Sequence, residues 1–146
     1  MAREETYRNT RIMTASPMEL ILILYKECIV SLQRAEDAFD LEDTIRFQEI
    51  SNNILHAEDI ITELSLSLNM EQGGAIANNL YRLYDFMIRH LSEANLKKIK
   101  QPISEVRKLM MELQESWQQV EKQHPQNHAG YDDKVSSEAG KISLQG

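Results

Sequence analysis

Cysteine and the usual turn residues are scarce in this chain: its 146 residues include one cysteine, five glycines and three prolines. A β-sandwich or small barrel needs many tight turns, so this composition argues against an all-β fold. Cys28 has no partner for an intramolecular disulfide, which favours a reducing compartment. The longest apolar run, residues 20–25, is too short to cross a bilayer, and residues 1–15 lack the apolar centre of a signal peptide. We therefore expect a cytoplasmic protein.

Positive charge is also in deficit. The chain has 16 Lys and Arg against 23 Asp and Glu, for a formal net charge of −7. The deficit lies in the body of the protein, because residues 17–123 hold 11 of those cations and 18 of those anions. An acidic body repels phosphate backbones and anionic lipid, so we expect neither nucleic-acid binding nor membrane binding.

Four successive stretches place apolar side chains at steps of three and four, the spacing of amphipathic helices. The predicted helices cover residues 17–40, 44–68, 75–95 and 102–123. Ser16 can cap the first helix, since Pro17 suits its first position and Glu19 completes a capping box. Gly73 and Gly74 supply the break before the third helix.

Helices of similar length with short connections pack most simply as an antiparallel four-helix bundle, so the predicted fold class is all-α. The first half of the first helix is apolar on nearly all sides, which predicts burial nearly all round. Residues 1–15 carry Tyr7 and Ile12 and are expected to pack on the bundle as a cap. Residues 124–146 are mostly polar, with no sustained apolar period, and are predicted to form a disordered, flexible tail. The bundle domain is therefore residues 16–123.

No constellation for catalysis or metal binding emerges from the sequence. A carboxylate-bridged metal pair in a bundle needs Glu-x-x-His, but Asn53 precedes His56 and Met87 precedes His90 at that spacing. Cys28 lies on an apolar helix face without a neighbouring base, which is typical of a small core residue. We expect no enzyme activity and no cofactor.

The sequence leaves two other hypotheses about function open. One is a generic adaptor or signalling bundle that self-associates, with His56 or His90 accepting a phosphoryl group; Glu58 and Asp59 next to His56 oppose this. The other is a structural bundle that pairs with a second copy, so a homodimer is left open.

Each helix needs one line of apolar side chains facing the core, which we call its seam. Several apolar residues of the second and third helices do not belong to a seam. The second and third helices still carry Ile45, Leu55, Ile60, Leu66, Tyr81, Tyr84 and Ile88. Some of them can be flanking core residues, because a bundle helix buries a broad stripe. Alternatively they line a surface groove that accepts an amphipathic helix, a role that suits tyrosine because its polar tip tolerates water. Our candidate partner-binding residues in the helices are Leu55, Ile60, Tyr81, Tyr84 and Ile88.

Two sequence motifs resemble those of a known family. The first runs from Tyr7 through Thr14-Ala15-Ser16-Pro17 to Leu24-Tyr25, and the second is Gly73-Gly74-x-Ile76-Ala77-x-Asn79-Leu80, followed by Leu83-Tyr84-Asp85. Both are similar to the signatures of the FliS type of flagellar secretion chaperone, and the resemblance covers roughly residues 7–118.

The resemblance implies a non-enzymatic cytosolic bundle that binds the disordered C-terminal segment of flagellin, prevents its premature polymerisation and keeps it competent for type III secretion. It leaves room for other flagellar assembly proteins as partners. It also implies that the N-terminal segment covers the ligand groove, which adds Tyr7 and Ile12 to the candidate partner-binding residues.

Overall fold

A computed structural model describes residues 15–123, which form four α-helices and, within that range, no β-strand. The helices are α1 (Pro17–Ala38), α2 (Asp43–Leu66), α3 (Met70–Lys97) and α4 (Gln101–Gln123). The connections are three or four residues long, as expected between antiparallel neighbours in a bundle. The all-α prediction is confirmed.

The start of α1 has the cap that the sequence predicts. The Oγ of Ser16 accepts a hydrogen bond from the backbone N–H of Glu19 at 3.2 Å, and Pro17 occupies the first turn. This bond satisfies one of the amide donors that every helix leaves without a partner at its beginning. The cap therefore fixes the point where the chain enters the bundle.

The glycine pair lies inside α3, where a separation between two helices was expected. Asn69 begins α3 earlier than predicted, because its Oδ1 accepts a hydrogen bond from the N–H of Gln72 at 3.0 Å. Gly74 then interrupts the helix with φ 53° and ψ −130°. This is a conformation that residues with a Cβ rarely adopt, so the break belongs to Gly74 itself. A short first turn thus precedes the straight part of α3.

Contacts between side chains establish the order and direction of the helices. α2 and α3 are antiparallel, since their contact positions rise along one helix and fall along the other, at Ser51–Asn95 and Glu58–Ser92. The same holds for α1 and α4, at Tyr25–Trp117 and Glu36–Arg107. α1–α2 and α3–α4 are joined by short connections and pack side by side, through contacts such as Cys28–Ala57 and His90–Glu105. α1 packs against both α2 and α4, and α3 completes the ring. A hydrogen bond between the Tyr25 and Tyr84 hydroxyls links α1 with α3 across the centre.

The core consists of the predicted seams with a few exceptions. Nearly all seam positions are buried, among them Cys28, Ile54, Met87 and Met110. Phe47 continues the three-and-four spacing of the apolar residues of α2, which predicts burial, but it is 53 % exposed. Its position three residues before Ile50 turns it about 60° away from the line of buried side chains. The Phe47 ring instead lies under the Arg46 guanidinium, 5.3 Å away.

Polar contacts between helices cluster at the end of the bundle that carries the α1–α2 and α3–α4 turns. Glu36, buried on α1, accepts hydrogen bonds from two residues of α4, the Nε of Arg107 and the Oγ of Ser104, the latter at 2.8 Å. Its side chain is 10 % exposed, so its charge depends on these donors for compensation. The contacts of Ser51 and Glu58 with α3 lie toward the same end.

Replacing Arg107 with methionine keeps the length of the side chain and removes the cation. We expect Arg107→Met to lower the free energy of unfolding by about 2–3 kcal/mol, because the Glu36 carboxylate stays buried without its counter-charge and without two N–H donors. The adjacent Lys108 is exposed, so Lys108→Met serves as the control and should change stability by less than about 0.5 kcal/mol. Urea denaturation followed by circular dichroism measures both; equal effects would mean that the buried pair is not a special stabilising contact.

Candidate functional site

Three of the candidate partner-binding residues lie on one side of the bundle, between α2 and α3. Leu55 follows Ser51 by four residues and precedes Glu58 by three, and those two side chains contact α3. Leu55 therefore points to the same side of α2. On α3, Ile88 and Tyr81 share the side of Ser92, which contacts Glu58. Leu55 and Tyr81 are each 50 % exposed, whereas Ile88 is half-buried.

Two other candidates belong to the core. Ile60 is 3 % exposed and Tyr84 is 1 % exposed, so neither contributes accessible surface here. Their burial agrees with the interpretation that some leftover apolar residues are flanking core. The physical reason for Tyr84 is the hydroxyl of Tyr25, which lets the polar tip of Tyr84 reach the bundle interior without losing a hydrogen bond. The remaining candidates, Tyr7 and Ile12, lie outside the described residues.

The exposed apolar surface between these helices extends further along α2. Leu66 is 81 % exposed and follows Leu55 by eleven residues, which returns it to the same side of the helix. We define the α2–α3 face by Leu55, Leu66, Tyr81 and Ile88. It is about 16 Å long from Leu55 to Leu66, the length of three helical turns.

One end of the α2–α3 face is closed by polar contacts. The Oγ of Ser51 donates to Asn95 Oδ1 at 2.8 Å, and Lys98 Nζ donates to the same Ser51 oxygen at 2.6 Å. Further along, Ser92 Oγ donates to Glu58 Oε1 at 2.6 Å. Burial lowers the pKa of Lys98, which ends α3 in a left-handed conformation with φ 54°. These contacts hold α2 and α3 together beside Leu55.

The two edges of the α2–α3 face carry opposite charge. Asp59 and Glu63 are exposed on the outer side of α2, whereas Arg82 and Arg89 are exposed on the outer side of α3. Arg89 also pairs with Asp85 at 3.1 Å, one turn earlier. An apolar strip between an acidic and a basic edge suits an amphipathic helix whose own edges are charged in the complementary order.

A second concave surface lies on the outer side of α1. This α1 cleft has a volume of about 490 Å³, with an apolar floor of Leu22, Ile23 and Val30. α4 contributes Gln114 and Gln118 to one side. The prediction that the first half of α1 is buried nearly all round is wrong, since Leu22 and Ile23 are half-buried. The bundle offers α1 only three neighbouring helices, which leaves its outer side uncovered by the rest of residues 15–123.

His56 and His90 each lie beside a carboxylate. His90 Nε2 lies 2.6 Å from Glu105 Oε2, and His56 Nε2 lies 3.9 Å from Glu27 Oε1. The Phe86 ring stacks on His90, with the ring centres 4.9 Å apart. Residues 15–123 contain no group of His, Cys, Asp and Glu arranged to hold a metal ion. In that same part of the chain, no helix has the length and apolarity needed to cross a membrane.

Comparison with known proteins decides the family. Residues 1–124 match the sequence profile of the family described as flagellar protein FliS. This chain belongs to the FliS family.

Individual relatives agree with that assignment. The chain is 37 % identical over 109 residues to the flagellar secretion chaperone FliS of Salmonella typhimurium, an alignment covering 75 % of this chain and 79 % of the relative. It is 31 % identical over 114 residues to the Bacillus subtilis protein of the same name, covering 78 % and 82 %. For the Vibrio cholerae protein the identity is 30 % over 113 residues, covering 77 % and 80 %.

Membership of the FliS family supports a role in flagellar export with a flagellar protein as partner, and it favours a non-enzymatic function. Sequence reasoning selected the two helices that form the α2–α3 face, but it missed the α1 cleft. The sequence does contain a sign of the α1 cleft, since Leu22, Ile23 and Val30 lie at helical spacing outside the seam of α1. Leu22 and Ile23 fall in the half of α1 that the sequence predicts to be buried nearly all round.

The buried thiol of Cys28 provides a test of the core beneath the α1 cleft. Burial raises the pKa of Cys28 to about 12, so at pH 8 roughly one thiol in ten thousand is ionised in the folded FliS-family protein. We expect Ellman's reagent to react slowly at pH 8 and fast after guanidinium unfolding. Fast reaction of the native protein would show that α1 opens readily.

Proposed function

We propose that this protein is a cytoplasmic export chaperone that binds the C-terminal segment of flagellin before secretion. Binding would prevent premature polymerisation and keep the segment competent for type III export. The observation that carries the proposal is the α2–α3 face, where Leu55, Leu66 and Tyr81 remain at least half exposed in a FliS-family bundle. Contiguous exposed apolar side chains on a small protein are typical of a protein-binding surface.

The physical task is to cover apolar helix faces that otherwise bind each other. The terminal segments of flagellin are expected to become helical only when they pack on neighbours in the filament. A chaperone that provides the missing neighbour therefore competes with assembly. Ordering the client costs on the order of 2–5 kcal/mol, which an interface of more than about 1,000 Å² can offset.

The α2–α3 face can hold about three turns of such a helix in one orientation. Leu55, Tyr81 and Ile88 would contact the apolar side of the client, because they lie along one strip. Asp59 and Glu63 favour a basic edge of the client next to α2, and Arg82 favours an acidic edge next to α3. Reversing the client helix would bring like charges together, so charge selects its direction.

The alternative of a phosphorylated signalling bundle receives less support. His90 is held by the carboxylate of Glu105 at 2.6 Å, and His56 has Glu27 beside it. A phosphoryl group placed on either ring would meet a negative charge. Self-association through the α2–α3 face remains compatible with the proposed chaperone function, and the two would compete for the same side chains.

Titration calorimetry with the isolated C-terminal segment of flagellin tests the proposed function. We expect one segment to bind per chain with a negative heat-capacity change, because apolar surface leaves water on binding. The N-terminal segment of flagellin is the matched comparison and should bind much more weakly. No measurable heat with either segment, combined with no change in hydrogen exchange, would refute the proposal.

Charge substitution separates the α2–α3 face from the rest of the bundle. We expect Tyr81→Asp to weaken binding of the flagellin segment by at least about tenfold, since it places an unpaired charge in the apolar strip. The control is Phe86→Asp, because Phe86 is 42 % exposed on the same helix but lies on the side facing α4. It should change the affinity by less than about threefold. If both substitutions weaken binding equally while the melting temperatures stay unchanged, the α2–α3 face is not the specific site.

A further inference from the structure

We propose that the α1 cleft is a docking site for the C-terminal segment of this chain, residues 131–135 above all. The α1 cleft lies on the outer side of α1, away from the α2–α3 face. The proposal is therefore independent of flagellin binding. It concerns residues beyond 124, where the match to the FliS family ends.

The path of the chain brings this segment to the opening of the α1 cleft. α4 runs antiparallel to α1, since Tyr25 contacts Trp117 and Glu36 contacts Arg107. The same register places Gln123, the last residue of α4, beside Glu19, where the α1 cleft begins. Whatever follows Gln123 therefore starts at one end of this surface.

The length of the connection also fits. From Glu19 to Arg34 the α1 cleft follows 15 residues of helix, or about 22 Å. An extended chain covers that distance in about seven residues. α4 runs toward the Glu19 end, so the chain must reverse its direction directly after Gln123, and Pro125 disfavours further helix at that point. Tyr131 is the eighth residue after Gln123, and Val135 is the twelfth.

Charge distinguishes this segment from the other end of the chain. Lys26 and Arg34 line the α1 cleft, and neither has an ion-pair partner among residues 15–123. The acidic side chains of the lining are Glu27, which lies near His56, and Glu19, which sits at the start of α1, where the helix dipole favours an anion. The two unpaired cations therefore remain available to an acidic segment.

Residues 131–135 have the matching composition. Asp132 and Asp133, together with Lys134, give the segment a net charge of −1, and the two carboxylates can pair with the two cations. Tyr131 and Val135 provide apolar side chains for the floor of the α1 cleft. In contrast, residues 1–14 carry three arginines and two glutamates, which gives them a net positive charge. Like charge disfavours that segment as the occupant. Docking of residues 131–135 would cover the apolar floor within the same molecule.

Disulfide trapping in the full-length protein tests this docking. One double variant carries Val30→Cys with Val135→Cys, and the control carries Tyr81→Cys with Val135→Cys. We expect the first to form its intramolecular disulfide at least about tenfold faster, because docking raises the effective concentration of residue 135 near the α1 cleft. Tyr81 is a matched control, since it is 50 % exposed and Val30 is 39 % exposed. The native Cys28 is buried and does not compete.

Reversing the charges then tests whether ion pairs hold residues 131–135 in the α1 cleft. Lys26→Glu with Arg34→Glu should slow the Val30–Val135 disulfide roughly three- to fivefold, as expected for two exposed ion pairs. Asp132→Lys with Asp133→Lys should restore the rate in that background. Circular dichroism confirms that each variant is folded.

Three outcomes would overturn the proposal. The first is equal trapping rates at Val30 and Tyr81. The second is faster trapping of Val30→Cys by Ile12→Cys than by Val135→Cys, which would assign the α1 cleft to the N-terminal segment. The third is a disulfide that joins two molecules only, which would assign it to a second copy. None of these results bears on flagellin affinity, so the two proposals fail separately.

Discussion

A helix in a four-helix bundle can bury only the side that faces its neighbours, and this constraint shapes the whole molecule. The seams of α1 to α4 supply enough apolar side chains to fill the interior. Apolar residues beyond those seams must either widen the core, as Ile60 and Tyr84 do, or remain in contact with water, as Leu55 and Leu66 do. Solvated apolar surface costs roughly 25 cal/mol per Å², and this cost is the physical basis for proposing an occupant for each of the two exposed apolar surfaces.

Much of the fold follows from the sequence because helical spacing and caps are local signals. Ser16 and Pro17 define the start of α1 through contacts within one turn, and the seam residues repeat without interruption. Gly74 shows the limit of that reasoning. The glycine pair predicts a break, but whether a further helical turn precedes it depends on the cap that Asn69 provides.

The candidate binding surface is less predictable, since the sequence shows which apolar residues are in excess but not how far each helix is rotated in the bundle. Leu55 and Tyr84 are both leftover apolar residues, and only packing distinguishes them. Tyr84 turns inward because Tyr25 offers a hydroxyl across the core, a contact between residues 59 positions apart in the chain. Similarly, Phe47 fits the seam by spacing but is rotated outward near the end of α2. Such decisions depend on long-range contacts that no local pattern encodes.

The clustering of ionic and hydroxyl contacts near the α1–α2 and α3–α4 turns makes the two ends of the bundle mechanically unequal. Separating the helices at that end requires the Glu36 carboxylate to lose Arg107 and Ser104, whereas Gly74 introduces a backbone irregularity near the opposite end. Local breathing of the bundle should therefore start near Gly74 and stop at the ionic cluster. Under the proposed function, a motion of that end alone would release the client while the rest of the bundle stays folded.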